Sequence, residues 1–163
     1  MKESSKNERV INLGLGMEYF KLGQVKEAKG IFLKILDEYP NDNNALHLLG
    51  HLNVIMGEVD DGIVLIKKSL SIFPNFPEAL VNLGNAYILN QEYNKAIESF
   101  QKAISLKEMP GFWTYLGNAY FSNNDFPNAE KAYSRSIILN SNEPIAYNNL
   151  GIIEKRKGNQ EEA

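Results

Sequence analysis

The dipeptide Leu-Gly recurs at Leu15-Gly16, Leu49-Gly50, Leu83-Gly84, Leu116-Gly117 and Leu150-Gly151. Successive glycines stand 34, 34, 33 and 34 residues apart. A fixed period of this length marks an array of one supersecondary unit, because a domain with a single irregular core has no reason to repeat in phase. The neighbourhoods repeat too. An aromatic residue follows the glycine at Tyr19, Tyr87 and Tyr120, a small residue comes later at Ala28, Gly62, Ala96 and Ala129, and a bulky one after that at Phe32, Ile66, Phe100 and Tyr133. Pro40 and Pro74 close the first two units, where Glu108 and Ser141 stand in the third and fourth. The third unit is one residue short, so its closing turn is expected to differ.

Each unit reads as two helices. In the third, Pro77-Glu78 opens a helix at its first turn, where proline loses no hydrogen bond and a carboxylate meets the positive helix end. Leu80, Leu83, Gly84 and Tyr87 follow at three- and four-residue steps and share one face. Asn90-Gln91 interrupts the run, and Gly23, Gly57 and Gly158 at the same phase are expected to supply helix-ending turns. Tyr93, Ala96, Ile97, Phe100, Ala103 and Ile104 then outline a second amphipathic helix. Small residues such as Gly84 and Ala96 let the two helices approach closely. One hairpin cannot bury its apolar face alone, so the units must stack.

The pattern resembles the tetratricopeptide repeat, whose signature of Trp, Leu-Gly, Tyr, Ala, Phe and Pro is nearly complete at the start of the fourth unit, from Trp113 through Leu116, Gly117 and Tyr120. The resemblance implies an all-α fold, a right-handed α-solenoid of antiparallel helical hairpins. It divides the chain into a flexible segment 1–8 and a solenoid 9–163, with units 9–42, 43–76, 77–109 and 110–143 and a partial unit 144–163. Asn12 stands where the fourth unit has Trp113, which suits a first helix without a preceding neighbour. The fifth unit supplies one helix and then reads Gly158-Asn159-Gln160-Glu161-Glu162-Ala163, and the expectation is a piece of a longer chain.

Composition removes several functions. The net charge of -3 offers none of the positive excess that a phosphate backbone or an anionic membrane requires, so no nucleic acid or membrane partner is expected. With no cysteine there is neither a disulfide nor a thiolate site. The polar N-terminus and the absence of a long apolar run give the reading of a cytoplasmic protein. Gly14-Leu15-Gly16 lacks the third glycine and the preceding strand of a dinucleotide loop. Asp60-Asp61 and Glu161-Glu162 are expected at the starts of second helices, as capping charge. His47 and His51 are four apart on one helical face, but no cysteine or carboxylate lies within a turn of them, so a polar pair is expected there and no metal. No enzyme and no cofactor is expected.

In the family that the repeat resembles, ligands lie along a concave surface made by the first helices. The stripe left over by the core residues contains Leu13, Met17 and Phe20 with Val10, then His47 and His51, then Val81, Asn82 and Asn85, then Tyr115, Asn118 and Phe121, then Asn149. Its start is apolar, with residues 1–8 folding over it as the alternative reading. From the third unit it is rich in amides, which can pair with the backbone of an extended peptide. The lysines and arginine with which chaperone-binding relatives clamp a C-terminal carboxylate are absent. Leu13, Met17, Leu48, Glu78 and Asn82 stand there in one register, and Val81, Asn85, Tyr115, Ile145 and Asn149 in another.

The expected function is a non-catalytic protein-protein interaction module that binds a peptide segment of a partner. The alternative is a substrate-recruiting arm preceding a larger enzyme, such as a bacterial glycosyltransferase or sulfotransferase, which segments 44–50 and 78–87 resemble. A third expectation is a homo-oligomer, formed end to end through Tyr147, Leu150 and Ile153.

Overall fold

A computed structural model describes the backbone of residues 2–161 and the side chains of residues 7–158. Among the described residues all regular structure is helical: α1 Lys2–Lys21, α2 Val25–Glu38, α3 Asn43–Ile55, α4 Val59–Ile72, α5 Pro77–Leu89, α6 Tyr93–Leu106, α7 Pro110–Ser122, α8 Phe126–Leu139 and α9 Pro144–Glu161. Consecutive helices pack as hairpins, α1 with α2, α3 with α4, α5 with α6 and α7 with α8. The fold is an all-α solenoid. The chain divides into two compact units, 1–75 carrying α1 to α4 and 76–163 carrying α5 to α9.

All four hairpin turns use one device. A residue with positive φ follows the first helix at Gly23 (73°), Gly57 (86°), Gln91 (60°) and Asn124 (59°). The next N–H then reaches back over the helix end, from Gln24 to the Tyr19 carbonyl, Glu58 to Asn53, Glu92 to Tyr87 and Asp125 to Tyr120, at 2.8–2.9 Å. This left-handed cap satisfies carbonyls that the helix leaves open. Gly158, expected to do the same, instead lies inside α9. Glycine costs only about 1 kcal/mol in a helix interior, and no packed second helix among the described side chains pulls the backbone out of line. Glu161 therefore ends α9 and does not open a second helix, while Glu162 and Ala163 lie outside the described residues.

Residues 2–8, expected as a flexible lead-in, continue α1. The run Lys-Glu-Ser-Ser-Lys-Asn-Glu holds no proline or glycine to stop a helix, so it does not fold back over the apolar stripe. The connection from α6 to α7 spans three residues, 107–109, whereas the other links between hairpins span four.

The glycine of each of the first four Leu-Gly pairs faces the bulky residue of the second helix. A Cβ on Gly16, Gly84 or Gly117 would lie 2.5–2.6 Å from the rings of Phe32, Phe100 and Tyr133 respectively. Here the glycine makes room for a ring. The α3/α4 hairpin is different, because Gly50 meets Gly62 and the two backbones touch: a Cβ on Gly62 would sit 2.6 Å from the Gly50 carbonyl oxygen. Asp60 and Asp61 occupy the first turn of α4, where their charge favours the helix dipole. Asp42 caps α3 by accepting from the Ala45 N–H at 2.9 Å, and Arg9 of α1 pairs with the same carboxylate at 2.9 Å.

Candidate functional site

In the first unit Met17 is exposed, and Phe20 and His51 meet edge to face with ring centroids 5.5 Å apart. Burial lowers the His51 pKa below its ordinary value, so the ring is neutral at pH 7 and behaves as an aromatic with a polar edge. In the second unit α7 touches both α5 and α9, so the three first helices lie side by side. They bring Asn82 and Asn85 of α5, Tyr115, Asn118 and Phe121 of α7, and Asn149 of α9 onto adjacent helices. Tyr115 is partly exposed and stacks on Phe100 at 5.9 Å between centroids.

One row of the expected groove is not open. Counting back three from the first four Leu-Gly glycines gives Leu13, His47, Val81 and Thr114, whereas the fifth gives Asn148, which is exposed. Leu13 is half-buried against the core, and His47, Val81 and Thr114 are 7%, 6% and 4% exposed. Thr114 shows why: its hydroxyl lies 2.8 Å from that of Ser136 on α8, so this row turns toward the second helix of the hairpin. His47 and Val81 are thus interior residues, and His47 and His51 are not a surface pair. Among the described residues no three His, Cys, Asp or Glu side chains gather in a way that could hold a metal. Among the described residues no helix is long and apolar enough to cross a membrane. Of the residues expected to mediate end-to-end contact, Ile153 is buried in a cluster with Ala129, Tyr133 and Ala146, and Leu150 packs on that cluster. Tyr147 stays exposed.

The most organised part of the site involves a residue the groove reading left out. Tyr133 of α8 is fully buried, and its hydroxyl donates to Asn118 Oδ1 at 2.8 Å and accepts from Asn149 Nδ2 at 3.1 Å. Asn149 Nδ2 also donates to Asn118 Oδ1 at 3.0 Å. Two amides from two helices are thereby held in one orientation by a hydroxyl from beneath. The Asn118 amide N–H groups and the Asn149 carboxamide oxygen keep no protein partner among the described residues, leaving one donor group and one acceptor. A sequence signal existed: Tyr133 stands where other units have Phe32, Ile66 and Phe100, and a buried hydroxyl requires a partner. Nothing in the sequence marked Arg156, whose guanidinium lies 5.5 Å from the Phe121 ring centroid and 5.1 Å from that of Phe126.

Burial pushes the Tyr133 pKa up to about 12, against the smaller opposing effect of the Asn149 hydrogen bond. The unfolded chain ionises this phenol near pH 10. The stability tied to the neutral hydroxyl is therefore complete below pH 10 and is lost as pH rises from about 10 through about 12. Tyr133→Phe should be about 1–2 kcal/mol less stable at neutral pH, since Asn118 and Asn149 lose their partner. Its urea-unfolding midpoint should fall less steeply than the parent's across that alkaline range, and parallel curves would show that Tyr133 is not the group responsible.

Residues 13–42 and 77–109 each match a model described as tetratricopeptide repeat, and 117–163 match one described as TPR repeat. A crystal structure of MamA is 28% identical, with a TM-score of 0.78 over 88% of this chain and 84% of that one. A MamA from Desulfovibrio magneticus RS-1 is 18% identical with a TM-score of 0.81, covering 92% and 85%. PilF of Pseudomonas aeruginosa is 19% identical with a TM-score of 0.87, covering 94% and 71%. The last two likenesses concern the fold alone. No curated protein sequence matches the chain.

Proposed function

Since the chain belongs to the tetratricopeptide repeat family, we propose that it is a protein-interaction scaffold that holds a peptide segment of a partner on the first-helix face. An architecture made of such repeats is typical of non-catalytic scaffolds, and the repeats and MamA-like neighbours support this coarse reading. The finer reading rests on the Tyr133 hydroxyl that holds Asn118 and Asn149. A peptide unit offers one N–H and one C=O, and the two amides present the complementary acceptor and donor with their orientation fixed before binding. Asn85 and Tyr115 extend this face along α5 and α7. In the first unit Met17, Phe20 and His51 form a more apolar patch suited to a side-chain anchor. A free C-terminal carboxylate on the ligand should add nothing, because no lysine or arginine stands at the positions that would clamp it.

Selection of binders from a random peptide library on the immobilised protein tests this. Asn118→Asp keeps the oxygen acceptor used by Tyr133 and Asn149 but replaces the donor with a second acceptor. Combined with Asn85→Ala, it should weaken selected peptides about tenfold or more while circular dichroism stays unchanged, as losing one or two hydrogen bonds dictates. Peptides that bind parent and variant equally would place the ligand elsewhere and overturn the assignment of this face.

A further inference from the structure

The second unit carries a feature on its other side. A cleft of about 520 Å³ opens between α6 and α8, with side chains of α7 as its floor. Ile104, Trp113, Leu116 and Tyr120 contribute apolar surface, and Lys131 and Arg135 stand on the α8 side. A second hollow of about 620 Å³ lies along α8, lined by Ile138 and again by Lys131 and Arg135. The two hollows thus share Lys131 and Arg135; Arg135 is paired with the Glu108 carboxylate at 2.9 Å, and Glu130 also lines the second hollow.

The floor is held in place by polar contacts. Glu108 Oε1 accepts from the Trp113 indole N–H at 3.0 Å and from Arg135 Nε at 3.0 Å. Those bonds, the one from Arg135 foremost, hold the Glu108 carboxyl below its usual pKa, so the anion persists well into mild acid. The Tyr120 hydroxyl accepts from Gln101 Nε2 at 3.0 Å and keeps its own proton for another acceptor. Glu108 sits in the shortened link between α6 and α7, at the position of Pro40 and Pro74 in the first two units. A proline there could make neither bond. Lys131 has no acidic partner among the described residues, while the neighbouring Glu130 is paired with Lys157.

We propose that this cleft docks a short acidic segment of a partner protein, one aromatic or branched side chain seated over Trp113 and Tyr120 and a flanking carboxylate at Lys131. The volume lies in the range of pockets that bury a drug-sized group. Lys131, the cation left without an acidic partner among the described residues, matches an acidic rather than a basic segment. Continuation into the second hollow past the same two cations favours an extended chain over an isolated small molecule. The site is separate from the first-helix face, so it stands or falls independently of the reading given above.

Trp113 is the one tryptophan of the chain, so its fluorescence reports this cleft alone. The probe is an acetylated and amidated Glu-Asp-Phe-Asp-Leu peptide, which carries no fluorophore at the indole excitation wavelength. Its titration should shift the Trp113 emission saturably, with affinity falling as salt screens the cations. Lys131→Glu, at an exposed position, should weaken binding about tenfold or more, as should replacing the two aspartates of the peptide by asparagine. Asn118→Asp should leave the titration unchanged. No shift at millimolar peptide overturns the proposal, and so does a shift indifferent to Lys131→Glu. Loss of binding in Asn118→Asp with retention in Lys131→Glu would place the peptide on the first-helix face. A response to phenylpropanoate but not to the peptide would make the cleft a small-molecule site instead.

Discussion

Gly62→Ala should destabilise the first unit by about 2–3 kcal/mol, even though alanine is the residue found at the same phase in the other hairpins. Helix propensity alone argues the opposite way, since alanine gains about 1 kcal/mol over glycine in a helix interior. The close approach decides the sign. A Cβ at Gly62 would lie 2.5 Å from Val54 Cγ2 and 2.6 Å from the Gly50 carbonyl oxygen. Val54 can rotate its methyl away, but the carbonyl belongs to the backbone of α3, so the two helices must separate. Ala28, Ala96 and Ala129 are fully buried without this conflict. Urea unfolding of the variant measures the loss. A midpoint equal to or above the parent's would mean that the α3/α4 spacing opens at no cost and that the double-glycine crossing is incidental.

Phe100→Ala should cost about 3–5 kcal/mol. The side chain is completely buried and packs directly on Gly84, where a Cβ would come within 2.6 Å of its ring. Truncation leaves a cavity walled on one side by a helix backbone with no side chain to move in, so collapse is hindered and the upper part of that range applies. The same geometry makes the pair strongly coupled. Gly84→Ala in the parent should be destabilising, because the ring has no room to yield. In the Phe100→Ala background the added methyl enters the vacated space and gains helix propensity, so it should be neutral or stabilising. A double-mutant cycle of unfolding free energies should thus give an interaction energy of at least about 1 kcal/mol. Additive effects would mean that the ring does not press on Gly84.

Much of the fold was legible in the sequence because the Leu-Gly glycine and the small residue after it mark where two helices cross. The left-handed turn was readable where a glycine marks it, at Gly23 and Gly57, while Gln91 and Asn124 at the same phase adopt the same conformation without being glycine. Gly158 has the same phase and stays helical, so the phase alone does not make the turn. The site was less legible. A helical stripe locates a face only to within about one residue row, and the row of Leu13, His47, Val81 and Thr114 lies at its border. Whether such a row faces a ligand or the neighbouring helix depends on how the hairpin is rotated, which spacing does not encode. The Tyr133 hydroxyl was hidden for another reason, since a core position and a site position coincide in one side chain.

The hairpins have a consequence for how the molecule is made. Among the described hydrogen bonds, the pair most distant along the sequence is Arg9 and Asp42, 33 positions apart. Contacts of such short reach demand little loop-closure entropy and correspond to the rapid end of folding rates. A chain emerging from the ribosome can complete each hairpin within about one repeat length of synthesis, and within each compact unit the first hairpin then offers a template for the element behind it. Apolar surface then waits for a partner that lies close behind it in the sequence, not at the far end of the chain.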